Sequence, residues 1–279
     1  MKEVGSTATD AERVTWTPTK VIRYSIWLHV LAIVVLIANP LWWRWLLAGV
    51  LANHLLLGGI GMWPRSRWLG SNLVRLPKAA TDNRYVALTF DDGPDPYVTP
   101  LVLDLLDRHS AKASFFCIGQ NARAHPHVVQ EIVNRGHSVE NHSDRHPHCF
   151  ACFLPHRLKR EIDDAQAVLK SITGRTPQFF RAPMGLRNPF LDPVLVRSAL
   201  IYVSWTRRGW DSVSSNPERV MRRLVRGLSA GDVILMHDGS SARTKHDDPI
   251  VLTVLPALLD FLSCRGLKAV SLPIAFAGQ

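Results

Sequence analysis

The sequence predicts an α/β domain built on a parallel sheet, preceded by a hydrophobic segment that meets a membrane. Three observations carry this. Seven short apolar runs of strand length lie between Tyr85 and Leu272, and amphipathic segments of helical length separate them. Two long apolar runs fill residues 21–63. A chain of 279 residues with 47% hydrophobic content is large enough for one sizeable core plus additional pieces.

Residues 1–20 are polar and without apolar periodicity, which suits a flexible tail. "VIRYSIWLHVLAIVVLIAN" (21–39) and "LWWRWLLAGVLANHLLLGGIGMW" (41–63) are each about long enough to cross a bilayer core, and Pro40 separates them. Trp27, Trp42, Trp43, Trp45 and Trp63 lie near the ends of the runs, where indoles favour the membrane interface, and Arg44 can snorkel to the headgroups. No small-residue cleavage site closes the first run, which argues against a cleavable signal peptide. The simplest arrangement is a hairpin of two membrane helices. A single span with a half-buried interfacial helix is the alternative, because Arg44, His54 and several glycines weaken the second run. Lys20 and Arg23 flank one side, and Arg65, Arg67, Arg75 and Lys78 flank the other, with only Arg44 between. This charge pattern favours both flanks inside: a bacterial-type inner-membrane protein with its large domain on the cytoplasmic face.

Residues 64–84 read as a basic linker. The expected strands are "YVALTF" (85–90), "ASFFCI" (113–118), "HSVEN" (137–141), "QFFRA" (178–182), "IYVSW" (201–205), "DVILMH" (232–237) and "LKAVSL" (267–272). Helical segments fall at 99–109, 126–135, 155–172, 191–199, 217–228 and 250–265, and residues 273–279 form a short tail. Strands alternating with helices imply a parallel sheet, either closed toward a barrel or open and doubly wound.

The net charge of +10 suits anionic partners such as phospholipid or a phosphate-linked lipid. Nucleic acid is not expected, since there is no zinc-finger spacing, RNP-type aromatic motif or basic helix. Four cysteines are too few for a disulfide scaffold. Cys149 and Cys152 form a C-x-x-C, read as two small apolar fillers in a loop, with a redox pair as the alternative.

In a parallel α/β barrel, chemistry collects at the carboxyl ends of the strands. Asp91 and Asp92 end the first strand, Asn141 and His142 the third, and Arg181 the fourth. Trp210 and Asp211 follow the fifth; His237 and Asp238 end the sixth. His142 and His146 are spaced by one helical turn, a separation at which two imidazoles can share a metal. A carboxylate from another strand end completes a two-His, one-carboxylate set with open positions. Adjacent side chains at a strand end diverge, so one of Asp91 and Asp92 can bind metal while the other faces its water. Gly93 and Pro94 stiffen the corner. A solvated aspartate turn and a surface histidine pair are the plainer alternatives.

Five motifs occur in order: "TFDDGP" (89–94), "HSDRH" (142–146), "RAPMG" (181–185), "RGWD" (208–211) and "LMH" (235–237). With them the chain from about 85 to 272 resembles the polysaccharide deacetylases, the NodB homology domain of carbohydrate esterase family four. The resemblance implies a distorted, incomplete (β/α) barrel. It also implies a metal-dependent hydrolase that removes an N-acyl group, chiefly acetyl, from an amino sugar in a polysaccharide, an oligosaccharide or a lipid-linked glycan. By the same resemblance, Asp92, His142 and His146 bind one divalent metal, Zn2+ first, with Co2+, Ni2+ or Fe2+ as alternatives. Asp91 is the base on metal-bound water and His237 the acid for the leaving amine. Arg181 holds Asp91 by a charge-assisted bond, Asp211 orients and tunes His237, and Leu235 lines the acyl pocket. Met184 and Trp210 complete the substrate groove.

Two departures stand out. Met184 replaces a usual aromatic, and "SWTRRGWD" replaces the usual D-x-x-D-W, which leaves the role of Asp211 open. The second departure also suggests a basic pocket in which Arg207 and Arg208 contact an anionic group; two solvated loop arginines are the alternative. The expected partners are an N-acylated amino-sugar glycan or lipid-linked sugar, and membrane lipid. The competing function is a non-catalytic, membrane-anchored carbohydrate-binding module. Loss of a metal ligand, base or acid would signal it, and none is lost.

Overall fold

The structure, a computed structural model, describes residues 15–277. Most of the expected N-terminal tail (1–14) and the last two residues of the C-terminal tail lie outside the described residues. Eight parallel strands form one sheet: β1 (Tyr85–Asp91), β2 (Ser114–Cys117), β3 (Ser138–Asn141), β4 (Phe179–Phe180), β5 (Ile201–Tyr202), β6 (Arg207–Arg208), β7 (Val233–His237) and β8 (Lys268–Val270). Their order is β5-β4-β3-β2-β1-β7-β6, with β8 also paired to β1. The helices are α1 (Lys20–Ala38), α2 (Trp43–Gly61), α3 (Lys78–Asp82), α4 (Val98–Arg108), α5 (Gly119–Ala124), α6 (Pro126–Asn134), α7 (Pro155–Thr173), α8 (Leu191–Arg197), α9 (Pro217–Val225), α10 (Ile250–Cys264) and α11 (Leu272–Phe276). The end strands β5 and β6 do not pair, so the curled sheet is an incomplete (β/α) barrel.

Strand alternation explains the packing. Val86, Leu88 and Phe90 point outward and pack with Val102, Leu103 and Leu106 of α4 and Leu255 and Leu258 of α10. Ala87 faces the other way and packs inside the barrel with Phe116, Phe179, Val203 and Val233. Both faces are therefore covered, which is why β1 reads as a nearly continuous apolar run. By the same period Thr89 and Asp91 face inward at the carboxyl rim. Asp95 then caps α4: its Oδ1 accepts from the backbone N–H groups of Tyr97 and Val98, each at 2.8 Å.

Seven strands were expected and eight are present. The additional one, β6, is the dipeptide Arg207–Arg208, which carries no apolar signal and is strand only because it pairs with Ile234 and Leu235 of β7. Trp210 and Asp211 consequently follow β6, not the 201–205 run.

The stretch 64–84 lies on the barrel across the unpaired gap. Leu73 bridges Val203 beside β5, its N–H donating to the Tyr202 carbonyl at 2.9 Å. Arg75 then pairs with the buried Asp232 at 2.6 Å next to β7. Leu69, Leu76 and Ala80 are buried. Even the start of the described chain is tied down, since Trp16 Nε1 donates to Asp192 at 2.8 Å.

Helix α1 is, among the described residues, the one helix long and apolar enough to cross a membrane, with the length and composition of a membrane anchor or a signal segment. Helix α2 turns at Pro40 and runs back beside it. Asn53 donates to the Ser25 hydroxyl at 2.9 Å, and the His29 and His54 rings meet edge to face at 5.2 Å. Ile26, Leu31, Ile33, Ile37, Leu51 and Leu55 remain exposed on this pair of helices.

Candidate active site

The register of β1 and β7 builds the rim. Thr89 pairs with Leu235, Phe90 with Met236 and Asp91 with His237, so Asp91 and His237 are cross-strand neighbours on one face. Asp92 departs from the strand with φ +72°, a left-handed conformation that a short polar side chain tolerates. That single backbone change separates the two aspartates. Asp91 stays on the inner face; Asp92 turns toward the β3 end, where its Oδ1 lies 3.2 Å from Nε2 of both His142 and His146. The Ser240 hydroxyl donates to Asp92 Oδ2, and Asn121 Nδ2 donates to the Asp92 carbonyl at 2.9 Å. Gly93 passes so close to Asp238 that a Cβ there would sit 2.3 Å from Asp238 Oδ2. Burial pushes the Asp238 carboxyl up to about 7, although the Thr99 hydroxyl that donates to it at 2.6 Å works against the shift.

His142 and His146 do not ride on a helix, contrary to what their spacing suggests. Residues 142–146 form a loop in which Ser143 and His146 have φ +63° and +51°. Side chains hold it: Asn141 Oδ1 accepts from the Ser143 N–H at 2.9 Å, and Ser143 Oγ accepts from the His146 N–H at 3.1 Å. Such local bonds offer the backbone an alternative to helix. The loop nevertheless brings the Asp92, His142 and His146 donor atoms within 4.8 Å of one another.

This set fits a divalent cation. Nδ1 of His142 faces the Arg181 carbonyl at 2.8 Å, and a carbonyl only accepts, so Nδ1 carries a proton and Nε2 is the nitrogen turned toward Asp92. Burial would lower this imidazole, but the Asp91 and Asp92 carboxylates outweigh it and raise it, and a bound cation would take the place of the Nε2 proton. Burial, then the neighbouring His142 charge, pushes His146 down to about 4, so it is neutral and ready to ligate at neutral pH. Burial would raise the Asp92 carboxyl, but the His142 bond and the charges of His142 and His237 hold it well below the usual carboxylate range. An ionised carboxylate and two imidazole nitrogens, converging with one side open, form the two-His, one-carboxylate pattern.

Arg181 is fully buried and binds the other aspartate. Its Nη1 donates to Asp91 Oδ1 at 2.6 Å and to Thr89 Oγ1 at 2.9 Å, while Nε and Nη2 reach the Val203 and Ser204 carbonyls at 3.3 Å. Asp91 Oδ2 lies 3.9 Å from His142 Nε2. Asp211, despite its unusual motif, is fully buried against His237. One oxygen accepts from the His237 backbone N–H at 2.7 Å, and the other lies 3.0 Å from His237 Nδ1. Burial alone would lower the His237 imidazole; the Asp211 charge and hydrogen bond outweigh it and raise it above the ordinary histidine value.

These groups open into a groove of about 920 Å³ that Leu235, Met184 and Trp210 also line. Met184 and Trp210 both have left-handed backbones, at φ +59° and +64°, and both side chains are half-exposed. The two arginines of "TRRGWD" separate. Arg207 is taken up by Asp232 at 2.9 Å and by the Arg226 and Gly227 carbonyls, so it is not available to an anionic ligand. Arg208 faces the groove. Cys149 and Cys152 are exposed and free, not loop fillers; Phe150 between them does the packing. Thr89 was not anticipated, although its place two residues before Asp91 puts it on the same strand face. Ser240 and the wall residues Met62–Arg65 were also missed, and nothing in their local sequence marks them.

The family model for polysaccharide deacetylase matches residues 78–197. A peptidoglycan-N-acetylglucosamine deacetylase of Bacillus cereus is 31% identical over 193 residues, covering 68% of this chain and 68% of the relative. A chitooligosaccharide deacetylase of Bradyrhizobium is 32% identical, covering 56% of this chain and 71% of the relative. Among solved structures, a family 4 carbohydrate esterase from Streptomyces lividans in complex with acetate is 32% identical with a TM-score of 0.60, covering 67% of this chain and 92% of that one.

Proposed function

The chain belongs to the polysaccharide deacetylase family, and from that premise we propose that it hydrolyses the N-acetyl group of an amino sugar in a glycan or lipid-linked saccharide. Family membership makes it a hydrolase of carbon–nitrogen bonds. The observation that carries the finer reading is the convergence of Asp92, His142 and His146 beside an Arg-held Asp91 and an Asp-held His237. A sugar-binding module needs neither a general base nor a general acid; hydrolysis uses all of these groups.

In this reading Asp92, His142 and His146 hold one divalent ion, with Zn2+ the first candidate. When bound, such an ion supplies Lewis acidity to the acyl carbonyl and makes water more acidic. Asp91 is the general base: Oδ1 is occupied by Arg181, so Oδ2 takes the proton of the attacking water. Arg181 is a positioning residue that fixes which carboxylate oxygen is free. His237 is the general acid: Asp211 holds Nδ1, so Nε2 delivers a proton to the departing nitrogen, without which an amine leaves poorly. The Met184 N–H donates to the oxyanion, and Leu235 bounds the acyl methyl. In this reading the helical pair α1–α2 anchors the enzyme in the bilayer, and the basic residues at both flanks favour the cytoplasmic face for the catalytic unit.

The test is product identity. The full-length chain in detergent micelles, given N-acetylated chitooligosaccharides, is expected to release acetate and free amine in equal amounts. Release of neither from any N-acetylated glycan would overturn the reading and favour a binding module.

Asp211 has its own prediction. His237 must be protonated to act as acid, and Asp211 raises its pKa, so activity persists above the ordinary histidine pKa and falls as pH rises through the elevated value. Asp211→Asn removes the anion. The alkaline limb of the pH–rate profile then moves to lower pH, and kcat near neutrality falls by about 10- to 100-fold. A limb that does not move would separate Asp211 from the acid.

A further inference from the structure

The groove is not built by the barrel alone. Met62, Trp63, Pro64 and Arg65, which follow α2 directly, form part of its wall. They are fixed there. The Arg187 N–H donates to the Gly61 carbonyl at 3.2 Å. The Pro64 carbonyl accepts from Asn72 Nδ2 at 2.9 Å and from Ser204 Oγ at 2.5 Å. A Cβ at position 61 would meet the Arg187 carbonyl oxygen at 2.1 Å, so glycine is what lets the helix end reach this wall. The apolar helical pair therefore terminates on the lip of the active site, with the Met62 and Trp63 side chains 71% and 58% exposed.

The second observation is charge. Arg65, Arg208 and Arg223 line the groove, and none has an acidic partner among the described residues. Arg208 is the most defined. Its Cζ lies 4.1 Å from the Trp210 ring centroid and 5.2 Å from that of Trp205, and its Nε is buried without an acceptor. The site carboxylates do not need it: Asp91 has Arg181, Asp211 has His237, and Asp92 has two histidines. A guanidinium held by two indoles with its donors free is a receptor for an oxyanion from outside the chain. Arg208, with the exposed Arg65 and Arg223 beside the same groove, suits a phosphate, and an apolar lip beside them suits a hydrocarbon chain.

We propose that the groove takes an N-acetylated amino sugar joined through a phosphate to a lipid chain, with Arg208 as the phosphate receptor and Met62–Trp63 as the contact for the start of the chain. This rests on the deacetylase reading and narrows its substrate. In this proposal the sugar reaches from the arginines to the Asp91–His237 rim, while the lipid lies along the end of α2.

Three probes, beside N-acetylated chitooligosaccharides as a fourth substrate, test it with the full-length chain in lipid nanodiscs: farnesyl-phosphate-linked N-acetylglucosamine, free N-acetylglucosamine 1-phosphate, and the neutral octyl N-acetylglucosaminide. Acetate release is expected to favour the farnesyl-phosphate probe over the neutral glycoside by at least about tenfold in kcat/KM. Arg208→Gln is expected to cut that preference by about tenfold, chiefly through KM, and Arg208→Lys by less. Arg223→Gln, an exposed change on α9 that leaves the core untouched, is expected to cut it by about threefold. Equal turnover of phosphate-linked and neutral probes, or a preference that neither variant moves, overturns the phosphate receptor. Equal turnover of the free and farnesylated phosphates overturns the lipid contact. Chitooligosaccharide turnover with the phosphate-linked probe left intact overturns this proposal and spares the deacetylase reading; no acetate from any of them overturns both.

Discussion

Asp91→Asn is expected to lower the rate of acetate release by about 10²–10⁴-fold while the protein keeps its bound cation. The two aspartates are adjacent but serve different partners. Asp91 Oδ1 binds Arg181 at 2.6 Å, and Asp92 Oδ1 faces His142 and His146 at 3.2 Å. Asparagine preserves the shape and still accepts from Arg181, but it cannot take a proton from water. The loss belongs to kcat, since no substrate-binding surface is removed. Metal analysis of the same preparation is the control: Asp91→Asn retains the ion and Asp92→Ala loses it. Loss of the ion in both variants would mean that Asp91 is a ligand and not the base.

Arg181→Met carries the second large effect, on stability and rate together. The guanidinium is fully buried, stacks over Phe116 at 4.2 Å and donates to Asp91, Thr89 and two backbone carbonyls. A methionine of similar length fills part of the volume and leaves Asp91 as a buried carboxylate without its cation. Removing one partner of such a pair costs about 3–5 kcal/mol. For a domain of this size the unfolding midpoint then falls by on the order of 10 °C. Tryptophan-fluorescence melts of the detergent-solubilised chain read this directly. Arg181→Lys keeps the charge but not the planar fork, and is expected to fall between. A melt unchanged by Arg181→Met would mean that water or a neighbouring group satisfies Asp91 instead.

Much of the rim could be read from the chain because β-strand period and family motif agree there. "ALTFDD" alternates so that Thr89 and Asp91 share a face, and "DVILMH" does the same for Leu235 and His237. Where local pattern and structure diverge, a tertiary contact is responsible. The His142–His146 spacing looks helical, but Asn141 and Ser143 side chains take the backbone bonds and make a loop. Strand β6 is two arginines that only β7 makes into a strand. The basic stretch 64–84 hides Leu69, Leu76 and Ala80 among charges, and its Leu73 completes an edge against Val203, 130 positions away. The groove wall at Met62–Arg65 depends on Arg187 and Ser204, which no local reading connects to the end of α2. Asp211 was obscured by its motif, and only its double contact with His237 shows where it belongs.

The central claim is that this rim is a cation-dependent hydrolytic centre. Its most direct test is acetate release from N-acetylated chitooligosaccharides by the full-length chain, before chelation, after it, and after divalent ion is added back. The account predicts loss of release on chelation and its return with about one ion per chain. Release that continues undiminished in a metal-free preparation would contradict it.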